Sequence, residues 1–362
     1  LGSFKMEKTT ATPIYFIVGA GRSGSTLLQL MLDAHPNTVA PVESRFIIFL
    51  YEKYASVKNW TQEKLTQFYT DLFYDEKIYY LWELDKKQLQ KDILSQPENT
   101  NFGNLCKIVF KNYISFFKKK KAKVIVDKNP INSLFIPWLL KVFPNAKFIH
   151  LIRDPRASCY SHIKAGMQPN PLAAALMWRD YNKAIEKSKQ KHPERFKTVF
   201  YEDLVKNPNL VLTELTTFLN IDFKEELLQF NQHFKSDFIN KLKTAKQSEK
   251  SLKQQLFHKY HNNLQKPISD KYINSWQTKL TAKNIQVIEE ICNSLMQHYN
   301  YSFSTKNSQK NYSSQLPMHY FKKFLIKFYY AAPLSLRLFY THKINSNLKP
   351  KLFFSIRDQQ EK

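Results

Sequence analysis

The stretch Gly19-Ala20-Gly21-Arg22-Ser23-Gly24-Ser25-Thr26 nearly matches a nucleotide-triphosphate loop, which runs Gly, four residues, Gly, Lys, then Ser or Thr. It departs at one position: Ser25 stands where the lysine belongs. Ile14–Val18 ahead of the loop reads as a buried parallel strand, and Leu27–Ala34 behind it as a helix. A strand, a glycine turn and a helix N-terminus present backbone N–H groups to a phosphate whether or not a lysine is there. The loop is therefore expected to hold an anion, with Arg22 as its cation, and ordinary γ-phosphate chemistry on ATP is disfavoured.

A second junction of the same kind is Arg153-Asp154-Pro155-Arg156-Ala157-Ser158-Cys159-Tyr160-Ser161. Arg153 closes the predicted strand Phe148–Ile152, Asp154 fits an N-cap, and Pro155 fits the first helical position. Ser161 lies two turns into that helix, so Arg153 and Ser161 can approach one phosphate. Two anion sites at neighbouring strand ends suit a ribose with phosphate groups at both ends. That requirement describes 3′-phosphoadenosine 5′-phosphosulfate, PAPS.

These residues need a scaffold. Further strands are read at Lys123–Asp127 and Thr198–Tyr201, with helices over 58–121, up to Phe143, over Leu172–Lys191 and over Ala282–Tyr299. Alternating buried strands and helices predict an α/β fold, P-loop-like, three layers deep, with a central parallel sheet. Ligands of such sheets bind beyond the carboxyl ends of the strands, where each of the motifs falls.

Composition narrows the function classes. The 362 residues are 43% hydrophobic and include 28 Phe and 20 Tyr, ample for a core. Cys106, Cys159 and Cys292 are an odd, scattered set, which disfavours a disulfide framework or a zinc site and points to a reducing compartment. Neither a secretory leader nor an apolar run of about 18 residues is read, so a cytoplasmic location is expected. A net charge of +25 asks for a polyanionic partner. Without zinc-finger, RNP or helix-turn-helix signatures, nucleic acid is not expected. A small anionic nucleotide and an anionic membrane face account for the charge, and Lys118–Lys121 reads as a solvated turn.

Taken together, the motifs resemble those of PAPS-dependent sulfotransferases over roughly residues 12–300, most closely the tyrosylprotein sulfotransferase branch and its bacterial relatives. The resemblance rests on Gly21–Leu28, Met31-Leu32-Asp33-Ala34-His35-Pro36, Glu43-Ser44-Arg45, Asp127-Lys128-Asn129-Pro130, Ile152–Ser158 and Tyr201-Glu202-Asp203-Leu204-Val205, in that order. It implies that Arg22, Ser23, Gly24, Ser25 and Thr26 bind the 5′-phosphosulfate, Arg153 and Ser161 the 3′-phosphate, and that Tyr201 lines the nucleotide pocket. It also implies Glu43 as general base with Arg45 beside it, and Lys128 and Arg22 as supports of the transferring group. No metal is required, because a sulfuryl group carries less charge than a phosphoryl. The acceptor would be a hydroxyl of a peptide tyrosine, a lipid, a sugar or a small alcohol. Where the eukaryotic branch has Ser-Lys-Trp, this chain has Asn274-Ser275-Trp276, so the lysine is missing and Trp276 is left to pack near the base.

Other readings stay open at this point. A small-molecule kinase could use the same loop, and a non-catalytic nucleotide- or membrane-binding protein could carry the same anion sites. Glu43 could simply pair with Arg45. His150 reads as a core histidine, His35 as a turn former, and His162 as a fallback base. Loops 50–115 and 235–275 would choose the acceptor, with 235–262 a mobile excursion. A helical extension over 301–362 follows the catalytic domain. Within it, residues 317–357 hold eight Lys or Arg, ten aromatics and no Asp or Glu. Phe321, Phe324, Leu325 and Phe328 recur at helical spacing, with Lys322, Lys323 and Lys327 away from them. The extension either lies on an anionic membrane, at the inner face of the cell, or packs back on the domain. A homodimer is compatible with the sequence.

Overall fold

The computed structural model of the chain describes residues 12–80, 82–115, 117, 122–231, 268–304 and 316–338. The lysine run 118–121, the stretch 235–262 and the tail beyond 338 lie outside them. Strand β1 (Ile14–Val18) leads through the glycine loop into α1 (Ser25–Ala34) and then β2 (Thr38–Val39). Helices α2 (Phe46–Tyr54), α3 (Gln62–Leu72), α4 (Glu76–Tyr80), α5 (Lys86–Leu94) and α6 (Phe102–Lys111) precede β3 (Val124–Lys128). A 3₁₀ turn (Pro130–Leu134) and α7 (Ile136–Val142) lead to β4 (Lys147–Ile152), followed by α8 (Pro155–Lys164), α9 (Pro171–Lys189) and β5 (Phe196–Phe200). Helices α10 (Tyr201–Lys206), α11 (Pro208–Leu219), α12 (Ala282–His298) and α13 (Leu316–Ala331) follow, with short 3₁₀ turns at Pro193–Arg195, Glu225–Leu227 and Asp270–Tyr272.

The five strands are all parallel in the order β2-β3-β1-β4-β5. β1 is central because its five residues are buried on both faces. Ile14, Phe16 and Val18 enter the core under α2, α6, α7 and α9, while Tyr15 and Ile17 enter the one under α1 and α11. Register aligns Phe16 with Phe148 and Phe148 with Phe196, and the rings stack across three strands at centroid distances of 5.6 and 4.9 Å. The chain departs from β1 towards β2 and β3 but from β4 towards β5. The loops after β1 and β4 therefore part over a crevice at the carboxyl ends of the strands.

The expected parallel three-layer α/β fold is present. β2 was not expected; two residues carry no readable alternation. Tyr201 opens a helix rather than ending a strand, with Glu202 and Asp203 in a first turn where acidic residues are favoured. Asp154 and Pro155 cap α8 as expected, the Asp154 carboxylate accepting from Arg156 N–H at 2.8 Å. The expected single helix ending near Phe143 divides into the 3₁₀ turn and α7. His150 is a core histidine, donating from Nε2 to Asn182 Oδ1 at 2.8 Å. His35 shapes its turn by accepting from Asn37 N–H and donating to the Asp222 carbonyl. In the extension, Tyr330 and Leu334 are buried in the core beside α2, with Phe135 against the Tyr330 ring at 5.3 Å.

Candidate active site

Strand β1 gives way to the loop at Gly19, where a Cβ would run into the Leu151 carbonyl of β4. Ser133 brackets the same residue, accepting from Gly19 N–H at 3.0 Å and donating to its carbonyl at 3.2 Å. The next carbonyls turn towards β4 and α8. Gly21 O accepts from the Ser158 hydroxyl at 3.1 Å and His162 Nε2 at 2.9 Å, and Arg22 O from Arg153 Nη1 at 3.0 Å. Arg22 (φ 60°) and Gly24 (φ 90°) adopt left-handed backbone, and a Cβ on Gly24 would enter the Tyr201 ring. With carbonyls drawn to one side, successive N–H groups form an anion-binding concavity on the other. Two observations fit an anion there. Helix α1 begins without a side-chain cap. The Ser23 hydroxyl is buried with no hydrogen-bond partner.

Arg153, Ser161, Arg22 and Tyr201 meet on the α8 side of the loop. Arg22 Nε donates to Ser161 Oγ at 3.0 Å. The Arg153 guanidinium lies over the Tyr201 ring at 4.3 Å, and its Nη2 donates to the Tyr272 carbonyl at 2.7 Å. Its Nε is buried without a partner, a second donor that an anion would satisfy. His162 is held neutral: burial takes it down to about 4, and the Arg22 charge acts in the same direction. Donating to Gly21 O beneath the loop, it supports the backbone rather than facing an acceptor. Trp276 packs on the Arg156 guanidinium at 4.1 Å, and Arg156 is itself paired with Asp154 and Glu289.

Lys128 and Glu43 meet on the other side. Lys128 ends β3 next to β1, with its side chain 5% exposed. Its Nζ lies 3.4 Å from Thr26 Oγ1 and 2.9 Å from Glu43 Oε2. The cation missing from position 25 is thus supplied through space by the neighbouring strand, while Arg22 is turned to Ser161. The backbone on either side of Glu43 is fixed at three points. The Trp82 indole donates to Val42 O at 2.7 Å, Asn129 Nδ2 to Ser44 O at 2.9 Å, and Arg45 N–H to Asp75 Oδ2 at 2.8 Å.

Glu43 does not pair with Arg45. Its second oxygen meets Lys77 Nζ of α4 at 2.7 Å, and Arg45 Nη1 donates to the Tyr330 hydroxyl at 3.3 Å. Burial pushes the Glu43 carboxyl up, but Lys128 and Lys77 outweigh it and hold the group well below the usual carboxylate range. Behind it, burial pushes Asp127 up to about 7 against the hydrogen bond from Asn132 and the Lys128 charge. On α9, Tyr181 is pushed up to about 12 by burial, then by Tyr330 and Glu43. A carboxylate between two lysines, one shared with a phosphate loop, can take a proton from a hydroxyl while cations stand ready for departing negative charge.

The structure thus gathers the expected residues into two groups around one loop. It adds Lys77, Asp75, Tyr181 and Tyr330, which sequence reading missed. Lys77 follows Asp75-Glu76 in what reads as an ordinary solvated helix start. Its tie to Glu43 depends on Asp75, whose carboxylate accepts from both Arg45 and Lys77 N–H groups.

The family model described as "Sulfotransferase family" matches residues 13–225, more than half of the 362. Among curated relatives, protein-tyrosine sulfotransferase 1 of Danio rerio is 29% identical over 228 residues, covering 61% of this chain and 56% of its own length. Protein-tyrosine sulfotransferase 1 of Homo sapiens is 30% identical over 191 residues, covering 50% of this chain and 44% of its own. The chain spans about half the length of these relatives. Among solved structures, the sulfotransferase domain from the curacin biosynthetic pathway is similar in fold, with a TM-score of 0.50 at 23% identity, covering 80% of this chain and 98% of that one. With the glycine loop, the strand-end motifs and the matched region coinciding, the chain belongs to the sulfotransferase family.

Proposed function

We propose that the protein transfers a sulfuryl group from PAPS to an acceptor hydroxyl, with Glu43 as general base. The observation that carries this reading is the Thr26–Lys128–Glu43 chain, which joins a phosphate loop to a base through one buried lysine. PAPS supplies the sulfuryl group and departs as adenosine 3′,5′-bisphosphate, PAP. The N–H groups of residues 22–26, with the Ser23 and Thr26 hydroxyls, hold the 5′ end. Arg153, Ser161 and Arg22 hold the 3′-phosphate, and Tyr201 walls the nucleotide pocket. The buried orphan donors on Ser23 and Arg153 fit these two ends.

Glu43 takes the acceptor proton as the hydroxyl oxygen bonds to sulfur and the bond from sulfur to the leaving phosphate breaks. Lys128 and the N-terminus of α1 stabilise the charge that gathers on that phosphate. As Lys128 turns to the phosphate, Glu43 loses one of its two cations and becomes a stronger base. Arg45 and Tyr330, in contact with each other beside the Glu43 loop, and Tyr181 of α9 are the groups an acceptor hydroxyl would meet on its way to Glu43. The similarity to protein-tyrosine sulfotransferases favours a peptide tyrosine among the candidates.

Incubation with sulfur-labelled PAPS and tyrosine peptides, hydroxylated lipids, sugars and small alcohols tests this. Label should appear on one acceptor class, and Glu43→Gln should reduce it by about 10²-fold or more. PAP binding with no label on any acceptor would leave a nucleotide binder and overturn the reading.

A further inference from the structure

Helix α13 is fastened to the domain along one side and bare along the other. At its start, His319 Nε2 pairs with Asp180 at 3.0 Å, and Arg179 Nη2 donates to the Tyr320 hydroxyl at 3.3 Å, both on α9. At its end Tyr330 is buried beside α2. Arg337 is also buried, donating from Nη1 to Phe49 O at 2.6 Å with its guanidinium 4.8 Å from the Phe49 ring. On the bare side, Phe321, Phe324 and Phe328 are 56%, 61% and 59% exposed, with Leu325 at 43%. Phe324 and Phe328 stack on each other with centroids 6.0 Å apart. Large apolar side chains gathered on a firmly held helix mark an interaction surface.

Charge decides among the occupants. Residues 317–357 carry seven cations besides the buried Arg337 and no carboxylate, within a chain of net charge +25, and Lys327 is exposed on this helix. A second copy would bring the same cationic segment against this one. An anionic bilayer supplies both an apolar interior for the rings and negative headgroups for the lysines. We propose that the exposed face of α13 docks the protein on an anionic membrane surface. Among the described residues no helix is long and apolar enough to cross a membrane, so the contact is peripheral. Tyr330, across the helix from this face, touches Arg45 at the Glu43 loop. Docking therefore sets the Glu43 loop about one helix diameter, roughly 10 Å, from the surface.

The docking proposal stands apart from the proposed reaction, and so does its test. The full chain is sedimented with phosphatidylglycerol or phosphatidylcholine vesicles at rising salt. It should follow phosphatidylglycerol only, less as salt rises. The combined Phe321→Ser, Phe324→Ser, Phe328→Ser variant should bind about 100-fold more weakly with its thermal unfolding unchanged. All three native cysteines are buried, so a polarity-sensitive dye attached through Phe324→Cys reports on this face alone. Its emission should shift to the blue only when phosphatidylglycerol vesicles are added. Equal vesicle binding by the triple variant, or no binding by the native chain, would overturn the proposal. So would a dye already shielded before vesicles are added, or a native dimer that the triple variant turns into monomer.

Discussion

Replacing Glu43 by Gln should tighten PAP binding while stopping transfer. Lys128 is shared between the Glu43 carboxylate and the phosphate loop, with 2.9 Å to one and 3.4 Å to Thr26 on the other. Glu43 Oε2 therefore lies within about 6 Å of Thr26 Oγ1 and of an anion seated there. Two unit charges at about 6 Å repel by roughly 3 kcal/mol at an effective dielectric constant of about 20, and by half that at about 40. The Glu43 side chain is 30% exposed, so the smaller figure applies. Roughly 1.4 kcal/mol is tenfold in affinity. Glu43→Gln removes the repulsion and frees Lys128 for the nucleotide, so the Kd for PAP should fall about tenfold. The substitution also leaves Lys77 and Lys128 facing each other without a counter-ion, so the free protein should melt at a lower temperature, with PAP restoring much of the loss. Calorimetric titration with PAP at fixed low salt, beside turnover of labelled PAPS, reads both effects. A folded Glu43→Gln protein that binds PAP no better than the native chain would refute the sharing of Lys128 by base and nucleotide.

Three further outcomes follow from the same geometry. Ser161→Ala removes the hydroxyl that meets Arg22 Nε and should weaken PAP about five- to tenfold while leaving adenosine 5′-monophosphate unchanged; equal losses for both nucleotides would remove Ser161 from the 3′-phosphate. Gly24→Ala puts a Cβ into the Tyr201 ring at φ 90° and should cost about 1–2 kcal/mol from backbone alone, seen as a lower Tm and at least tenfold weaker PAP binding; native values of both would mean the loop is held differently. Asp127 has a folded pKa of about 7 against an ordinary 3.8. Its stabilisation is therefore complete below about pH 4 and lost as the pH rises through about 7, by up to roughly 4 kcal/mol. Urea unfolding of Asp127→Asn should show that slope removed, and an unchanged slope would assign it to another group.

Much of the site was legible because its parts are local. The glycine loop, the Asp154-Pro155 helix start and the buried strands each declare themselves within a few residues, and parallel strands bring their carboxyl ends together. What stayed hidden depends on contacts between distant segments. Lys77 reaches Glu43 across 34 positions and Tyr330 reaches Arg45 across 285, and neither carries a local pattern. The alternative of a Glu43–Arg45 pair is absent for the same reason. Adjacency in sequence suggested it, but Asp75 pins the Arg45 backbone and Lys128 arrives from β3. Arg22 and Lys128 are both read as cations of the loop, and how they divide it depends on contacts the sequence does not display. A left-handed backbone at Arg22 turns its side chain to Ser161, and Lys128 stands at Thr26. The tail was read as either docked on the domain or bound to membrane, and the described part of it is docked with an exposed aromatic face left over.

The glycine loop is proposed to hold one end of a nucleotide bisphosphate and not the β- and γ-phosphates of a triphosphate. Isothermal titration of the native protein with PAP and with ATP, at matched ionic strength, tests it most directly. PAP should bind at least tenfold more tightly, because only its 3′-phosphate engages Arg153 and Ser161 through charged hydrogen bonds. ATP binding as tightly as PAP, or more so, would contradict the account.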